Sequence, residues 1–275
     1  MTSQSKITGF RIPNEVHLIF YNCIEYGGLG KNIYITWDDE TDYWRKIGTL
    51  HFPSEYFIQL DHNIYISDDW IQESIVFDLF AEIWSPLPLT NKRQRFRSVV
   101  KVNGFLYAIG GGTLSEYVEK FDPRTGKWEL VSSLDGICVS KAVALNGKIY
   151  AIGSDSGESI MQVYDPAIDS WSTVSAPSLS SIVIAIVYEE HLFVIGGDCA
   201  HRIMIKYEPV KDIWVPTQDL PIAYSFPRAV ILNEVLIVYD EELVYKSRMR
   251  RKNPIFWDPE NQTWNLIQEQ SPFVC

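Results

Sequence analysis

Short stretches of alternating apolar and polar residues recur along the chain, each broken by Asn, Asp, Gly or Pro, which is the pattern of half-buried strands joined by turns. A longer period lies over this alternation. An aromatic residue, an acid, five further residues and a Trp occur six times, as Trp37 to Trp44, Phe77 to Trp84, Phe121 to Trp128, Tyr164 to Trp171, Tyr207 to Trp214 and Trp257 to Trp264. A second landmark, at Asn14, Asp61, Asn103, Asn146, Glu189 and Asn233, opens an apolar segment such as NGFLYAIGG or EEHLFVIGG. It precedes the Trp by 25 residues in the three middle copies, by 23 in the second, and by 30 and 31 in the first and last. Each unit predicts four strands: one before the landmark, one after it, one ending at the aromatic–acid pair and one starting at Trp. Asp-Pro pairs at 122, 165 and 258 suit the first two positions of a type I turn, which makes the segment before Trp a hairpin connection. Six such units predict an all-β fold, a six-bladed propeller with four antiparallel strands per blade. It is read as a single domain, with blades near residues 7–47, 54–87, 97–131, 140–174, 182–217 and 227–267.

Composition supports a packed chain and narrows its partners. Hydrophobic residues make up 46% of the 275, enough for a substantial core. The net charge of −11 opposes nonspecific attraction to nucleic acid or an anionic membrane, so neither is expected as a partner. Cys23, Cys138, Cys199 and Cys275 are far apart, without the spacing of a disulfide framework or a zinc site. The first ten residues lack the apolar stretch of a signal peptide, and the apolar run Ile182 to Val187 is too short to cross a bilayer. A soluble protein of a reducing compartment, cytoplasmic with the nucleus as a further location, is the expectation.

The units do not fit WD40 blades, since no Gly-His pair occurs. Instead they resemble the Kelch repeat: an apolar strand ending in Gly-Gly, a Tyr-Asp-Pro-like turn, and Trp about six residues on. Gly110-Gly111 and Gly196-Gly197 carry the double glycine and Gly153-Ser154 half of it, whereas Tyr21-Asn22, Asp68-Asp69 and Asp240-Glu241 depart from it. The chain looks like the Kelch domain of a BTB-Kelch protein. That resemblance implies a substrate-recognition part of a Cullin-3 ubiquitin ligase adaptor, reaching Cullin-3 through a BTB domain absent from this chain. The alternative is a free-standing Kelch scaffold, for example a cytoskeletal one, without a ubiquitin role. Ile7 to Pro13 stand where they would supply the first strand of the first blade, so closure by the N-terminal segment is expected.

With strands alternately up and down, the loop after the second strand and the linker to the next blade share a face, and in Kelch relatives that face binds the partner. The loops Cys23 to Lys31 and Asp240 to Pro254 carry extra residues, and long loops in a compact repeat tend to be functional. Lys246, Arg248, Arg250, Arg251 and Lys252 crowd the second of them, and Lys92, Arg93, Arg95 and Arg97 the linker into the third blade. Guanidinium groups take carboxylates and phosphates in a bidentate manner, so an acidic or phosphorylated segment of a protein substrate is the expected ligand; solvated loops are the plainer reading. Arg202 joins the partner-binding candidates, as do Arg97 and Arg228 near the starts of first strands. Tyr224 and Phe226 suit aromatic anchors or, equally, a cover for the core.

Catalytic motifs fail on inspection. Gly27 to Lys31 resembles a phosphate loop, but Glu25 replaces its first Gly and Asn32 its Ser or Thr. Gly153 to Gly157 puts Asp155 where a nucleophile elbow has Ser. Cys199 and His201 lack a third ligand nearby in sequence. No cofactor, metal or catalytic residue is expected, and the protein is read as a recognition module rather than an enzyme.

Overall fold

A computed structural model describes residues 18–23, 31–38, 43–50, 56–67, 74–78, 81, 83–92, 96–110, 116–179, 181–197, 201–225, 227–232, 234–240 and 253–267, with backbone alone before residue 58 and at 96, 97 and 232. The described residues form strands arranged in six antiparallel sheets, five of four strands and one of three. The fold is an all-β propeller with four antiparallel strands per blade. Two compact units are distinguished, Ser54–Ala223 and the pairing of Met1–Pro53 with Tyr224–Cys275.

The first unit holds four complete sheets in chain order: β4 (Tyr56–Leu60) to β7 (Ile83–Pro86), β8 (Phe96–Val102) to β11 (Lys127–Val131), β12 (Cys138–Leu145) to β15 (Ser170–Val174), and β16 (Ile182–Tyr188) to β19 (Ile213–Pro216). In between lie β5 (Asn63–Ser67), β6 (Ser74–Asp78), β9 (Phe105–Gly110), β10 (Val118–Asp122), β13 (Lys148–Asp155), β14 (Glu158–Asp165), β17 (His191–Gly196) and β18 (Ile203–Glu208). Here the first strands pack on one another in succession, β4 on β8, β8 on β12 and β12 on β16. The other unit contains the complete sheet β20 (Pro227–Leu232), β21 (Val235–Asp240), β22 (Ile255–Asp258) and β23 (Thr263–Leu266), and the three-stranded sheet β1 (Leu18–Cys23), β2 (Lys31–Asp38) and β3 (Tyr43–Leu50). Ile7 to Pro13, the expected fourth strand of that sheet, lie outside the described residues.

The register explains the repeat. The aromatic and the Trp that flank each hairpin are cross-strand partners, Phe121 opposite Trp128, Tyr164 opposite Trp171 and Tyr207 opposite Trp214. Their rings lie 5.1 Å apart in each case, inside the range where aromatic pairs attract. Each indole N–H also reaches back to the linker arriving from the preceding sheet: Trp128 Nε1 donates to the Pro88 carbonyl at 2.9 Å, Trp171 to Ser132 at 2.8 Å and Trp214 to Ser175 at 2.8 Å. One residue type therefore closes a hairpin and ties two blades together.

The second landmark is a two-residue turn. Asn103 and Gly104 have φ of 50° and 80°, Asn146 and Gly147 of 51° and 72°, the pair of positive angles that a type I′ hairpin requires. The double glycine has a different cause. Register shifts mark a β-bulge in β8, β12 and β16, where Arg97, Ser140 and Val183 are the extra residues. Opposite the bulge of β16 the backbones come so close that a Cβ on Gly196 would stand 1.8 Å from the Ser181 oxygen, and Gly197 follows with φ of 108°. Neither position tolerates a side chain.

Candidate protein-interaction site

The linkers that leave the fourth strands fold back onto residues just before or at the start of the third strands of their own sheets. Leu87 N donates to Ser74 O at 2.9 Å, Leu134 N to Glu116 O at 2.9 Å, Leu220 N to Arg202 O at 2.8 Å, and Ile267 N to Pro254 O at 3.0 Å. Linker and second-to-third-strand connection thus meet at the same end of each of these sheets. In β13 and β14 that connection shrinks to Ser156-Gly157, with φ of 48° and 90°. The Gly153–Gly157 string is accordingly the end of a strand and a hairpin tip, with no helix behind it.

The nine candidate residues fall in different settings. Arg202 is exposed, and its Nε donates to the Leu220 carbonyl at 2.6 Å, so linker and guanidinium fix each other. Arg97 and Arg228 look equivalent in sequence but differ in backbone. Arg97 occupies the bulge of β8, whereas Arg228 lies opposite Tyr239 in an unbroken register and is exposed. Tyr224 is only 2% exposed and its hydroxyl donates to the Asn253 carbonyl at 2.7 Å, so of its two readings packing is the one its geometry fits. Burial, followed by the nearby Asp240 charge, drives its phenol well above the ordinary value. Next to it, Ser225 N donates to the buried Asp240 carboxylate at 3.0 Å. These two bonds hold the near end of one basic loop. Arg93, Arg95, Phe226, Arg248 and Arg250 lie outside the described residues, as does Cys199.

Sequence reasoning missed the residues that hold the linker into the third blade. Glu119 of β10 is fully buried, and its oxygens accept from Asn91 N at 2.7 Å, Asn91 Nδ2 at 2.8 Å and Lys92 N at 2.8 Å. Gln162 does a related job one blade on, accepting from Asp135 N at 3.2 Å and donating to Asp135 O at 2.7 Å. The signal was present: Glu119 and Gln162 stand two residues before the hairpin aromatic, where strand alternation calls for an inward residue and where Ile75, Ile205 and Ile255 stand in other units.

Comparison with known proteins agrees with this architecture. Residues 95–134 match the Kelch motif. The third blade thus carries a Kelch motif. Over 106 residues the chain is 28% identical to Kelch-like protein 21 of Rattus norvegicus and, equally, to that of Mus musculus. The alignment covers 36% of the chain and 18% of each relative, so the match spans less than a fifth of those proteins. The Kelch match takes in the bulge at Arg97, buried Glu119 and Trp128.

Among the described residues, no three His, Cys, Asp or Glu side chains are grouped so as to hold a metal ion.

Proposed function

We propose that this chain is the substrate-recognition domain of a Cullin-3 ubiquitin ligase adaptor. On this reading it holds an acidic or phosphorylated segment of a protein on the face shared by the linkers and the second-to-third-strand loops. The observation that carries the reading is the anchoring of the linkers: backbone and side-chain bonds hold them against the third strands, so Lys92 and Arg202 stand on a prearranged support. A preorganised guanidinium loses less freedom on binding a carboxylate or phosphate than a mobile one. Names of the relatives support a Kelch protein, and the resemblance to BTB-Kelch adaptors supplies the ligase.

Proximity labelling in cells with the intact gene product, against a form with Arg93, Arg95, Arg248 and Arg250 changed to Glu, tests both parts. The expected result is a set of labelled proteins lost in the charge-reversed form, with Cullin-3 retained in both. Labelling that charge reversal leaves unchanged removes the proposed face. Partners lost on charge reversal but never accompanied by Cullin-3 leave a scaffold without a ubiquitin role.

A further inference from the structure

Residues 88–92, between the second and third sheets, are fixed from both sides. The Pro88 carbonyl accepts from Trp128 Nε1 at 2.9 Å, the Thr90 hydroxyl donates to Lys92 O at 2.9 Å, and Asn91 Nδ2 donates to Trp128 O at 2.9 Å as well as to Glu119. A carboxylate at an inward strand position is costly unless its oxygens are occupied. Apolar residues serve at that position in other blades, so stacking the sheets does not demand it. What distinguishes this blade is the charge above. Lys92 and the next residue but two, Arg95, bracket Arg93 in sequence, and the buried carboxylate accepts from Lys92 N at the start of that stretch. In the following blade the gripped linker residue is Asp135, and the inward residue is the neutral Gln162. The buried carboxylate is thus opposite in sign to the linker it holds, and a neutral amide replaces it where the linker carries Asp135.

On the outer side Lys92 Nζ stands 5.0 Å over the centre of the Tyr117 ring, which is 39% exposed, and Leu89 is 56% exposed. The ammonium packs on an aromatic face, and the same linker carries an exposed Leu.

We propose that Glu119 is a positioning residue for a docking surface formed by Leu89, Lys92 and Tyr117, which takes a partner segment where a carboxylate neighbours an aromatic side chain. This rests on the reading of the face as partner-binding and names the chemistry it selects. The carboxylate pairs with Lys92, within a stretch whose charge is opposite to that of the molecule as a whole, while the aromatic ring seats against Tyr117 and Leu89. Glu119, satisfied by three N–H groups, holds the backbone from which the Lys92 side chain springs and leaves the ammonium itself open to a partner.

The test uses the whole chain and two soluble probes, a Glu-Tyr copolymer and poly-glutamate of equal length, with affinity measured across a salt series. The copolymer is expected to bind about five-fold tighter or more than poly-glutamate. Tyr117→Ala should erase that preference, bringing the copolymer to the affinity of poly-glutamate for the same variant, and Lys92→Glu should weaken both by about ten-fold. Glu119→Gln, which turns an amide N–H toward linker N–H groups, should weaken both probes and flatten the salt dependence even where the thermal transition is retained. Equal affinity for the two probes, or a copolymer affinity untouched by Tyr117→Ala and Lys92→Glu, overturns the inference whether or not Glu119→Gln folds. Should Arg93→Glu with Arg95→Glu abolish binding while Tyr117 and Glu119 variants do nothing, the face remains a partner site and this surface is not its selector.

Discussion

At the turn between β16 and β17, Glu189 and Glu190 hold φ of 47° and 59°, where the two preceding blades have Asn-Gly. Left-handed backbone costs about 1–2 kcal/mol for a residue with a Cβ and almost nothing for Gly. Glu190→Gly is therefore expected to raise stability by about 1 kcal/mol, seen as a transition a few degrees higher in a thermal melt. The reverse holds at Gly196. A methyl group there meets the Ser181 oxygen, and Gly196→Ala should cost about 2 kcal/mol or more, read as a lower urea midpoint. These two glycine positions were legible from the repeat in opposite degrees. The double glycine is a strong landmark, while the turn role of the Asn-Gly pair is hidden in blade five because Glu-Glu replaces it.

Between elements, three residues vary together at the hairpin-to-linker clasp. Tyr164 OH donates to Asp169 at 2.6 Å, and the same carboxylate oxygen accepts from Ser132 N at 2.9 Å; Tyr207, Asp212 and Ser175 repeat this at 2.6 and 2.9 Å. In the third blade the corresponding residues are Phe121, Gly126 and Pro88, which lack the hydroxyl, the carboxylate and the N–H. Donors and acceptors are thus installed or omitted as a set, since one member alone would leave a polar group unanswered. Pro88→Ser with Gly126→Asp should show a favourable coupling of about 0.5–1.5 kcal/mol in a double-mutant cycle, with each single change neutral or destabilising. Where the clasp is complete, Trp171→Phe should cost about 1 kcal/mol through the lost bond to Ser132 O, measured by denaturant unfolding.

Across the molecule these clasps set the pH range. The Tyr164 hydroxyl, and then Ser132 N–H, hold Asp169 below the usual carboxylate range; Tyr207 and Ser175 do the same for Asp212. Groups depressed in the folded state stabilise it above the unfolded value near 4 and lose that contribution as pH falls toward the folded value. Burial, and then the Asp hydrogen bonds, raise Tyr164 and Tyr207 above 10, so their contribution is present below about pH 10 and declines as pH rises beyond it. Melting temperature should therefore fall below pH 4 and above pH 10. Asp169→Asn with Asp212→Asn should shrink the acid drop while lowering stability at neutral pH.

Much of this was written in one dimension. The spacing of aromatic, acid and Trp determined the hairpins, their number and the sheet type, because strand alternation and turn chemistry act over a few residues. The positions of Arg97, Arg202, Tyr224 and Glu119 were decided only in three dimensions. A bulge adds one residue and resets which way the next points, a carbonyl 18 residues away pins Arg202, and the hydroxyl of Tyr224 finds a backbone oxygen 29 residues later. Glu119 answers to N–H groups of a linker 27 and 28 residues earlier. Long-range hydrogen bonds of this kind depend on how sheets stack, and so the support beneath these linkers belongs to the tertiary structure.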